Sequence, residues 1–527
     1  MSAGRHSLQV NKQSRRYYLL CLLAGATASL CLPPFGLVPL VMALSWPALC
    51  MARTDRLRTA LLTGWAAGFG WFLASTWWIA ASMVAGDTGH WPLLPLAVVF
   101  VPLILSLFWA AAAGLSWRLG KQAHTRVLWL VVMLAGFEWA RGFVATGFPW
   151  NAPGYLFSAH LSLLQAASVL GLYGLNVVAV WVAMIPAFWL LGWRRTAIVA
   201  GAILPLVAIG GMARLASDGA SDGASDDVSD TGELAVDAAR SMEVRPKQVR
   251  LVQPAVPQNE KWDRTKRPAH LQRLIELSSG TLPVPQLVIW PETAFAGLLG
   301  AERELFTRTV ASALPYDGLL VTGVPRRHSR FLLLNSAVLV QPDGDIRASY
   351  DKQKLVPFGE YFPFRDLFPF ATAIVGPMDY LHGTSRTPFT LPHYGLVQPL
   401  ICYEVIFPGI FSRAEMRPDI LVNLTNDAWF GGTPGPYQHL EQARMRAVEE
   451  GIPLLRVANT GVSAGFDAYG RTLARIDMDR AGFVDVNVPE PLAPTIYAIW
   501  RETFLSVVLF LLAGLTIILD RKRSLGQ

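Results

Sequence analysis

The chain has 527 residues, of which 52% are hydrophobic and only 16% are charged, against roughly 25% charged residues in an average soluble protein. The length predicts two or three domains, and the composition requires either a very large core or a membrane. The net charge of +7 does not indicate nucleic-acid binding, because much of the basic excess flanks long apolar runs, where it marks membrane topology.

The apolar residues are concentrated in the first part of the chain. Residues 17–213 are almost continuously apolar, in runs long enough to span a bilayer, and one more apolar run precedes a basic C-terminal cluster. We therefore predict a polytopic α-helical membrane domain of about eight helices. The predicted helices are 17–32, 36–52, 59–84, 92–118, 126–145, 163–193, 196–213 and 503–519.

The distribution of Lys and Arg predicts the orientation of these helices. Basic residues precede the first helix and lie between helices two and three, four and five, and six and seven, whereas the loops 33–35 and 85–91 contain none. Basic loops stay in the cytoplasm, so both termini are predicted there. Residues 214–502 then lie outside, which for a bacterial inner-membrane protein is the periplasm.

A polar stretch separates the apolar region from an ordinary globular sequence. Residues 217–230, SDGASDGASDDVSD, are small and acidic and cannot bury enough surface to fold, so we predict a flexible tether. The predicted organisation is a transmembrane domain at 1–213, a linker at 214–244, a globular domain at 245–500, and a C-terminal transmembrane helix with a basic tail at 501–527.

Short apolar runs in the globular region predict strands, and several are too apolar to have a solvent-facing side. Turn residues at Pro342–Asp345 and Ala468–Gly470 indicate hairpins, and Gln438–Glu450 indicates a helix that ends at Gly451. The pattern favours an α/β sandwich of packed sheets. The predicted strands are Val249–Val252, Leu287–Trp290, Leu319–Val321, Leu332–Val340, Pro399–Tyr403, Ile420–Leu424, Leu454–Ala458 and Val462–Asp467.

Candidate reactive side chains follow three of these strands or turns. Glu292 lies in LVIWPETAF, Lys352 and Glu360 lie in YDKQKLVPFGEYFPF, and Cys402 lies in LICYEVIF. Each residue alone has an ordinary explanation in a turn, in solvent or in packing. Together they could supply a thiol nucleophile, a base that removes its proton, and a positive group for a developing oxyanion.

The strings WPET, YDKQKLVPFGEY, ICYE and NLTNDAWFG, downstream of a polytopic membrane region, resemble the apolipoprotein N-acyltransferase family, the membrane-embedded branch of the nitrilase superfamily. The resemblance covers essentially the whole chain and implies a nitrilase-like α-β-β-α sandwich. By this resemblance Glu292 is the general base, Lys352 stabilises the oxyanion and Cys402 is the nucleophile.

The resemblance also implies supporting roles for Glu360, Tyr403 and Glu404. Trp262 and Trp429 match aromatic positions near the family site, although packing in the core remains an alternative for both. No His or Cys partner stands at metal spacing from His439, which we interpret as structural; no metal or cofactor is expected.

The implied reaction has two halves. A phospholipid, preferably phosphatidylethanolamine, donates an acyl chain to the Cys402 sulfur, and the N-terminal amine of a diacylated apolipoprotein then attacks the thioester. The enzyme is expected to be a monomer.

The segment 361–376, YFPFRDLFPFATAIVG, is too apolar for an exposed loop and follows Glu360 directly. A large apolar patch marks a membrane or partner contact, so we predict that Phe362, Phe364, Leu367 and Phe368 line or seat a path for the acyl chain. Packing of this segment on the domain's own core is the alternative.

Two other functions remain open at this point. A membrane-tethered nitrilase-type amidase could use the same three residues, although a single anchor would suffice for it. A transporter or scaffold with a binding module is the alternative from another class. Transporters usually carry ionisable residues within their spans, whereas the few here include Glu138 and Arg141, which could pair locally on one helix face.

Overall fold

A computed structural model of the chain describes residues 2–85, 92, 94–222, 247–280, 282–329, 332–362, 379–410 and 416–524. The described helices before the globular domain are α1 (Ser2–Ala28), α2 (Ser45–Arg53), α3 (Leu57–Thr76), α4 (Leu94–Leu119), α5 (Ala123–Arg141), α6 (Leu161–Leu164), α7 (Ala167–Ala183), α8 (Ile185–Leu190) and α9 (Arg194–Asp222).

Three described helical segments are long and apolar enough to cross a membrane: Leu94–Leu119, Arg194–Ser217 and Glu502–Arg521. The N-terminal region is therefore helical, but the prediction of eight spans is not confirmed. Several predicted helices are shorter or interrupted, and the apolar helices Val38–Arg53 and Ala167–Ala183 fall below the length of a full span.

The predicted helix 163–193 is wrong as a single helix. The chain forms α6, α7 and α8 instead, and Gly171 inside α7 has φ +60°, a left-handed conformation that glycine adopts without a steric cost. Pro186 stands in the first turn of α8, where its missing N–H costs no hydrogen bond. Hydropathy does not reveal either interruption, because both lie within one apolar run.

Close contact between α1 and α3 depends on small residues. A Cβ atom added at Gly70 would lie 1.9 Å from the carbonyl oxygen of Leu22, and one added at Gly25 would lie 1.9 Å from that of Ala67. Such contacts allow helix backbones to approach closely where the surrounding solvent is apolar.

The charged pair in α5 is satisfied within the protein. Arg141 and Glu138 form a buried salt bridge, as predicted from their spacing, and Trp109 Nε1 donates to Glu138 at 2.7 Å. Arg141 also donates to the carbonyl oxygens of Phe148 and Trp150. The pair therefore anchors the loop at 142–151 that leads towards the globular domain.

The globular region contains two sheets in the described part of the chain. One has the strand order β13-β1-β2-β3-β4-β5, with β6 paired to β4, and the other has the order β12-β11-β10-β9-β8-β7. The strands are β1 (Gln248–Gln253), β2 (Leu287–Ile289), β3 (Leu319–Arg327), β4 (Leu332–Val340), β5 (Ile346–Asp351), β6 (Asp379–Tyr380), β7 (Phe389–Leu391), β8 (Gly395–Ile401), β9 (Ile420–Thr425), β10 (Leu454–Ala458), β11 (Ser463–Phe466), β12 (Thr472–Ile476) and β13 (Gly482–Asn487).

The two sheets share one apolar core, and helices cover their outer faces. Side chains of both sheets form this central core, while α10 (Arg267–Ser279) and α11 (Arg303–Ala313) cover the first sheet. The helix α12 (Pro434–Glu450) covers the second sheet and ends at Gly451 with φ +65°, as predicted. The predicted α-β-β-α sandwich is confirmed.

All eight predicted strands are present, with shifts of a few residues at their ends. β5 and β12 complete the two predicted hairpins through antiparallel pairing with β4 and β11. The helix α9 continues to Asp222, past residue 214 where the linker was predicted to start, because extending a formed helix costs far less than nucleating one. The rest of the linker lies outside the described residues.

Two further helices follow the sandwich. They are α13 (Ile496–Trp500) and α14 (Glu502–Ser524).

Candidate active site

Glu292 lies in the turn that follows β2, and only 7% of its surface is exposed. Strand β3 passes so close that a Cβ atom at Gly323 would lie 2.6 Å from the Glu292 Cα atom. Glycine at position 323 is therefore required for this turn, which also places Thr293 at φ +51°. The sheet thus fixes the carboxylate at the end of a buried strand.

Lys352 follows β5 and is 1% exposed. Its Nζ lies 2.9 Å from Glu360 Oε1 and 3.5 Å from Glu292 Oε1. Burial alone would lower the pKa of Lys352, but the charges of Glu360 and Glu292 outweigh it and raise the pKa above its ordinary value. Lys352 is therefore a fixed cation at neutral pH.

Asn335, on β4, connects the two carboxylates. Its Nδ2 donates to Glu292 Oε1 at 2.8 Å and to Glu360 Oε1 at 2.9 Å. The second oxygen of Glu360 accepts from the main-chain N–H of Val356 at 2.8 Å. Glu360 is thus fully engaged in holding Lys352 and Asn335, as expected of a supporting residue rather than a base.

Cys402 follows β8 and begins a short 3₁₀ turn. Its φ of +50° is sparsely populated for a residue with a side chain, and such strain concentrates at functional sites. Two side chains hold this backbone through the Cys402 carbonyl oxygen: Asn423 Nδ2 donates at 3.3 Å and His439 Nε2 lies at 3.2 Å.

The thiol of Cys402 is not ionised in the resting site. Burial and the negative charge of Glu292 raise its pKa to about 12, against the smaller opposite effect of Lys352. At neutral pH a thiolate on Cys402 therefore forms only where a base removes the thiol proton. Glu292 is the carboxylate whose charge acts most strongly on this thiol.

Glu404 is buried and connects the turn at Cys402 to the segment around Lys352 through hydrogen bonds. Its carboxylate accepts main-chain N–H bonds from Ile401 at 2.7 Å and Gln353 at 2.6 Å, and a hydroxyl bond from Tyr350 at 2.9 Å. Burial raises the pKa of Glu404 even against these bonds. These contacts assign it a positioning role.

Tyr403 contacts the N-terminal domain. Its hydroxyl donates to the carbonyl oxygen of Gly147 at 2.9 Å, within the loop that Arg141 anchors. Its ring lies 6.4 Å from that of Phe148. Tyr403 therefore joins the nucleophile turn to the N-terminal domain.

The structure describes three of the six side chains that were predicted to bind substrate. Trp262 is 53% exposed and Trp429 is 41% exposed, which is not the pattern of core residues. The ring of Phe362 packs edge-on against Phe358 at 5.3 Å. Phe364, Leu367 and Phe368 lie outside the described residues.

Three residues at the site were not assigned to it from the sequence. They are Lys261, Asn335 and His439. Asn335 could have been found as the polar residue within the buried strand LLLNSAVLV, and Lys261 directly precedes Trp262 in QNEKW. His439, which was predicted to be structural, lies 2.9 Å from Asp427 through Nδ1 and 3.2 Å from the carbonyl oxygen of Cys402 through Nε2.

The helix α12 also contacts the N-terminal domain. Gln438 accepts hydrogen bonds from the indoles of Trp78 at 3.1 Å and Trp150 at 3.0 Å, and it donates to the carbonyl oxygen of Pro33 at 3.2 Å. The next residue, His439, reaches Cys402. Adjacent residues of one helix therefore connect the N-terminal domain to Cys402.

Comparisons with known proteins cover both parts of the chain. Residues 248–496 match the carbon-nitrogen hydrolase family, and residues 24–185 match the apolipoprotein N-acyltransferase N-terminal domain. The apolipoprotein N-acyltransferase of Rhodopseudomonas palustris is 36% identical over 545 residues, covering 97% of this chain and 96% of the relative. That of Brucella melitensis is 35% identical over 537 residues, covering 96% and 97%.

Solved structures resemble the sandwich at lower identity. An amidase of the nitrilase superfamily from Nesterenkonia is 20% identical with a TM-score of 0.36, covering 50% of this chain and 98% of that chain. A carbon-nitrogen hydrolase from Helicobacter pylori is 17% identical with a TM-score of 0.37, covering 46% and 89%.

Proposed function

The chain belongs to the apolipoprotein N-acyltransferase family, and from that premise we propose that Cys402 carries the acyl chain as a thioester between two half-reactions. The observation that carries this proposal is the cluster at the strand ends. The half-buried thiol of Cys402 lies on a strained turn, and the charges of the buried Glu292 carboxylate and the buried Lys352 ammonium act on it. They match the needs of covalent acyl transfer.

In the first half-reaction Glu292 accepts the thiol proton as the Cys402 sulfur attacks the ester carbonyl of a phospholipid. The ammonium of Lys352 stabilises the oxyanion, and the proton on Glu292 passes to the leaving lysophospholipid alkoxide. In the second half-reaction the N-terminal amine of a diacylated apolipoprotein attacks the thioester. Glu292 takes the amine proton and returns a proton to the departing sulfur.

Mass spectrometry of the active-site peptide tests this proposal. Incubation with phosphatidylethanolamine should add one acyl mass to Cys402, and a peptide with an N-terminal S-diacylglyceryl cysteine should remove it as an amide. An adduct on another residue, or none, would overturn the covalent mechanism. Hydrolysis of a small amide to its acid and amine, with no acyl transfer to the peptide, would instead favour the membrane-tethered amidase.

The acyl donor is expected to be phosphatidylethanolamine, and the protein is expected to act as a monomer.

Water competes with the amine for the thioester, so the site must exclude water. The burial of Glu292 and Lys352 supports such exclusion.

We further propose that the N-terminal domain and the C-terminal helix cross the inner membrane eight times, with the catalytic domain in the periplasm. The alternation of basic loops supports this orientation. A reporter fused after Gly232 should then score as periplasmic and one fused after Gln527 as cytoplasmic. If both reporters were found on the same side of the membrane, the topology would have to contain one span fewer or one more.

The apolar segment after Glu360 is proposed to admit the acyl chain. Moving a 16-carbon chain into water would cost about 12 kcal/mol, at about 0.8 kcal/mol for each CH₂, so a continuous apolar path is needed. Replacing Leu367 and Phe368 together with Asp should slow acylation by a long-chain phospholipid strongly, while a small thiol reagent should label Cys402 at nearly the normal rate.

Comparing the rate of acylation with the rate of thiol labelling shows whether this segment admits lipid or packs in the core. Equal losses of acylation and labelling would indicate that this segment packs in the core. Unchanged acylation would place lipid access elsewhere, for instance between the membrane helices. The double replacement Leu305→Ala and Ile275→Ala, which trims the outer helices on the first sheet, controls for general destabilisation.

A further inference from the structure

Lys261 is a buried ammonium that the mechanism above does not use. It lies in the segment after β1 and is 4% exposed. Its Nζ donates to the main-chain carbonyl oxygen of Glu292 at 3.2 Å, and no ion pair of Lys261 with a carboxylate is found among the described residues. Burying an ammonium without a contacting counter-charge is costly, so this position needs a reason beyond packing.

The charges of the site supply that reason. Among the described residues, the carboxylates of Glu292 and Glu360 contact one ammonium, that of Lys352, so these three side chains together carry one net negative charge. A protonated Lys261 balances it. The sulfur of Cys402 accepts negative charge more readily beside these four side chains when Lys261 is charged than when it is neutral.

We propose that Lys261 is the second cation of the active site, which holds the Glu292 turn through its hydrogen bond and stabilises the charge that develops on the Cys402 sulfur. The inference rests on the proposed thioester function. The proton lost by Cys402 still passes to Glu292; Lys261 exchanges no proton in the step. Lys261 is therefore a positioning and charge-balancing residue.

The surroundings of Lys261 make this role dependent on pH. Burial lowers the pKa of Lys261 to about 8, against the raising effects of Glu292 and Cys402, the titratable groups that act on it most. Lys352 contacts the Glu292 carboxylate, and the neighbouring Glu260 is paired with Lys266. Lys261 is thus charged below about pH 8 and loses its charge as the pH rises through that value.

The test follows acyl-adduct formation on Cys402 of the full-length protein in phosphatidylethanolamine vesicles between pH 6.5 and 9.5. The second half-reaction is omitted, so that no substrate amine titrates. The wild-type rate should fall above about pH 8. Lys261→Met should be slower at pH 7 by about tenfold, the equivalent of one pKa unit, and should show no fall above pH 8. Lys261→Arg, which stays charged, should keep its rate to pH 9.

The control is Lys266→Met, in the same segment but 47% exposed at its side chain, which should follow the wild-type profile. The inference would be overturned if the adduct rate of Lys261→Met also fell above pH 8. It would be overturned equally if Lys261→Met reacted as fast as the wild type at pH 7. Thermal unfolding shows whether each variant is folded; if Lys261→Arg is not, Lys261→Met decides alone. Absence of any adduct in the wild type, with Cys402 still labelled by a small thiol reagent, would instead overturn the thioester function.

Discussion

Replacing Cys402 with serine should abolish acyl transfer, lowering the rate by a factor of roughly 10³ or more. A hydroxyl holds its proton far more tightly than a thiol, and even the thiol here has a pKa of about 12 because of burial and the charge of Glu292. The measurement is the acyl adduct at position 402 and the N-acylation of a diacylated peptide, both by mass spectrometry.

The folded structure should survive this replacement. Serine has nearly the shape of cysteine, and the bonds from Asn423 and His439 go to the main-chain carbonyl rather than to sulfur. Cys50→Ser, at a half-buried cysteine of the N-terminal domain, serves as the matched control and should retain activity. Normal transfer by Cys402→Ser would rule out the covalent mechanism.

Replacing Glu292 with glutamine should slow thioester formation by a factor of about 10²–10⁴, the usual contribution of a positioned base. The amide cannot accept the thiol proton, although its oxygen can still accept the bond that Asn335 donates at 2.8 Å. Lys352 keeps its closer contact with Glu360 at 2.9 Å. The loss should therefore appear in the rate of adduct formation and not in the thermal unfolding temperature.

Glu302→Gln provides the comparison for this variant. Glu302 lies in the same part of the chain but pairs with Arg267 at 2.6 Å, away from the thiol. It should react at the wild-type rate. If Glu292→Gln forms the adduct as fast as Glu302→Gln does, another group removes the proton.

The sequence predicted the sandwich well because its strands are short, apolar and bounded by turns. Several strands that were not predicted have a weaker pattern: β12 and β13 are largely exposed or half-buried, β6 spans two residues, and β7 is largely buried but spans only three. In the N-terminal region hydropathy located the apolar runs but not their breaks. A left-handed glycine such as Gly171 leaves no trace in an average over neighbouring residues.

Roles for Glu292, Lys352 and Cys402 could be proposed because the strings around them together resemble the family, but the partners of these residues could not be predicted. Asn335 and Lys261 reach Glu292 across 43 and 31 positions of the chain, and local sequence carries no sign of such contacts. The prediction for His439 considered only metal binding, whereas its two ring nitrogens contact the Asp427 carboxylate and the Cys402 carbonyl oxygen. Contacts of this kind emerge only when the sheet topology is known.

The contacts of Gln438 and His439 limit whether the globular domain can be joined to a different membrane domain. One residue accepts bonds from Trp78 and Trp150 of the N-terminal domain, and the next supports the carbonyl of Cys402. A hydrolase domain transplanted onto an unrelated anchor would keep both sheets and lose this brace behind its nucleophile. The N-terminal domain and the globular domain therefore depend on each other. A substitution that adapts the N-terminal domain to a different lipid must also preserve its contacts with the globular domain.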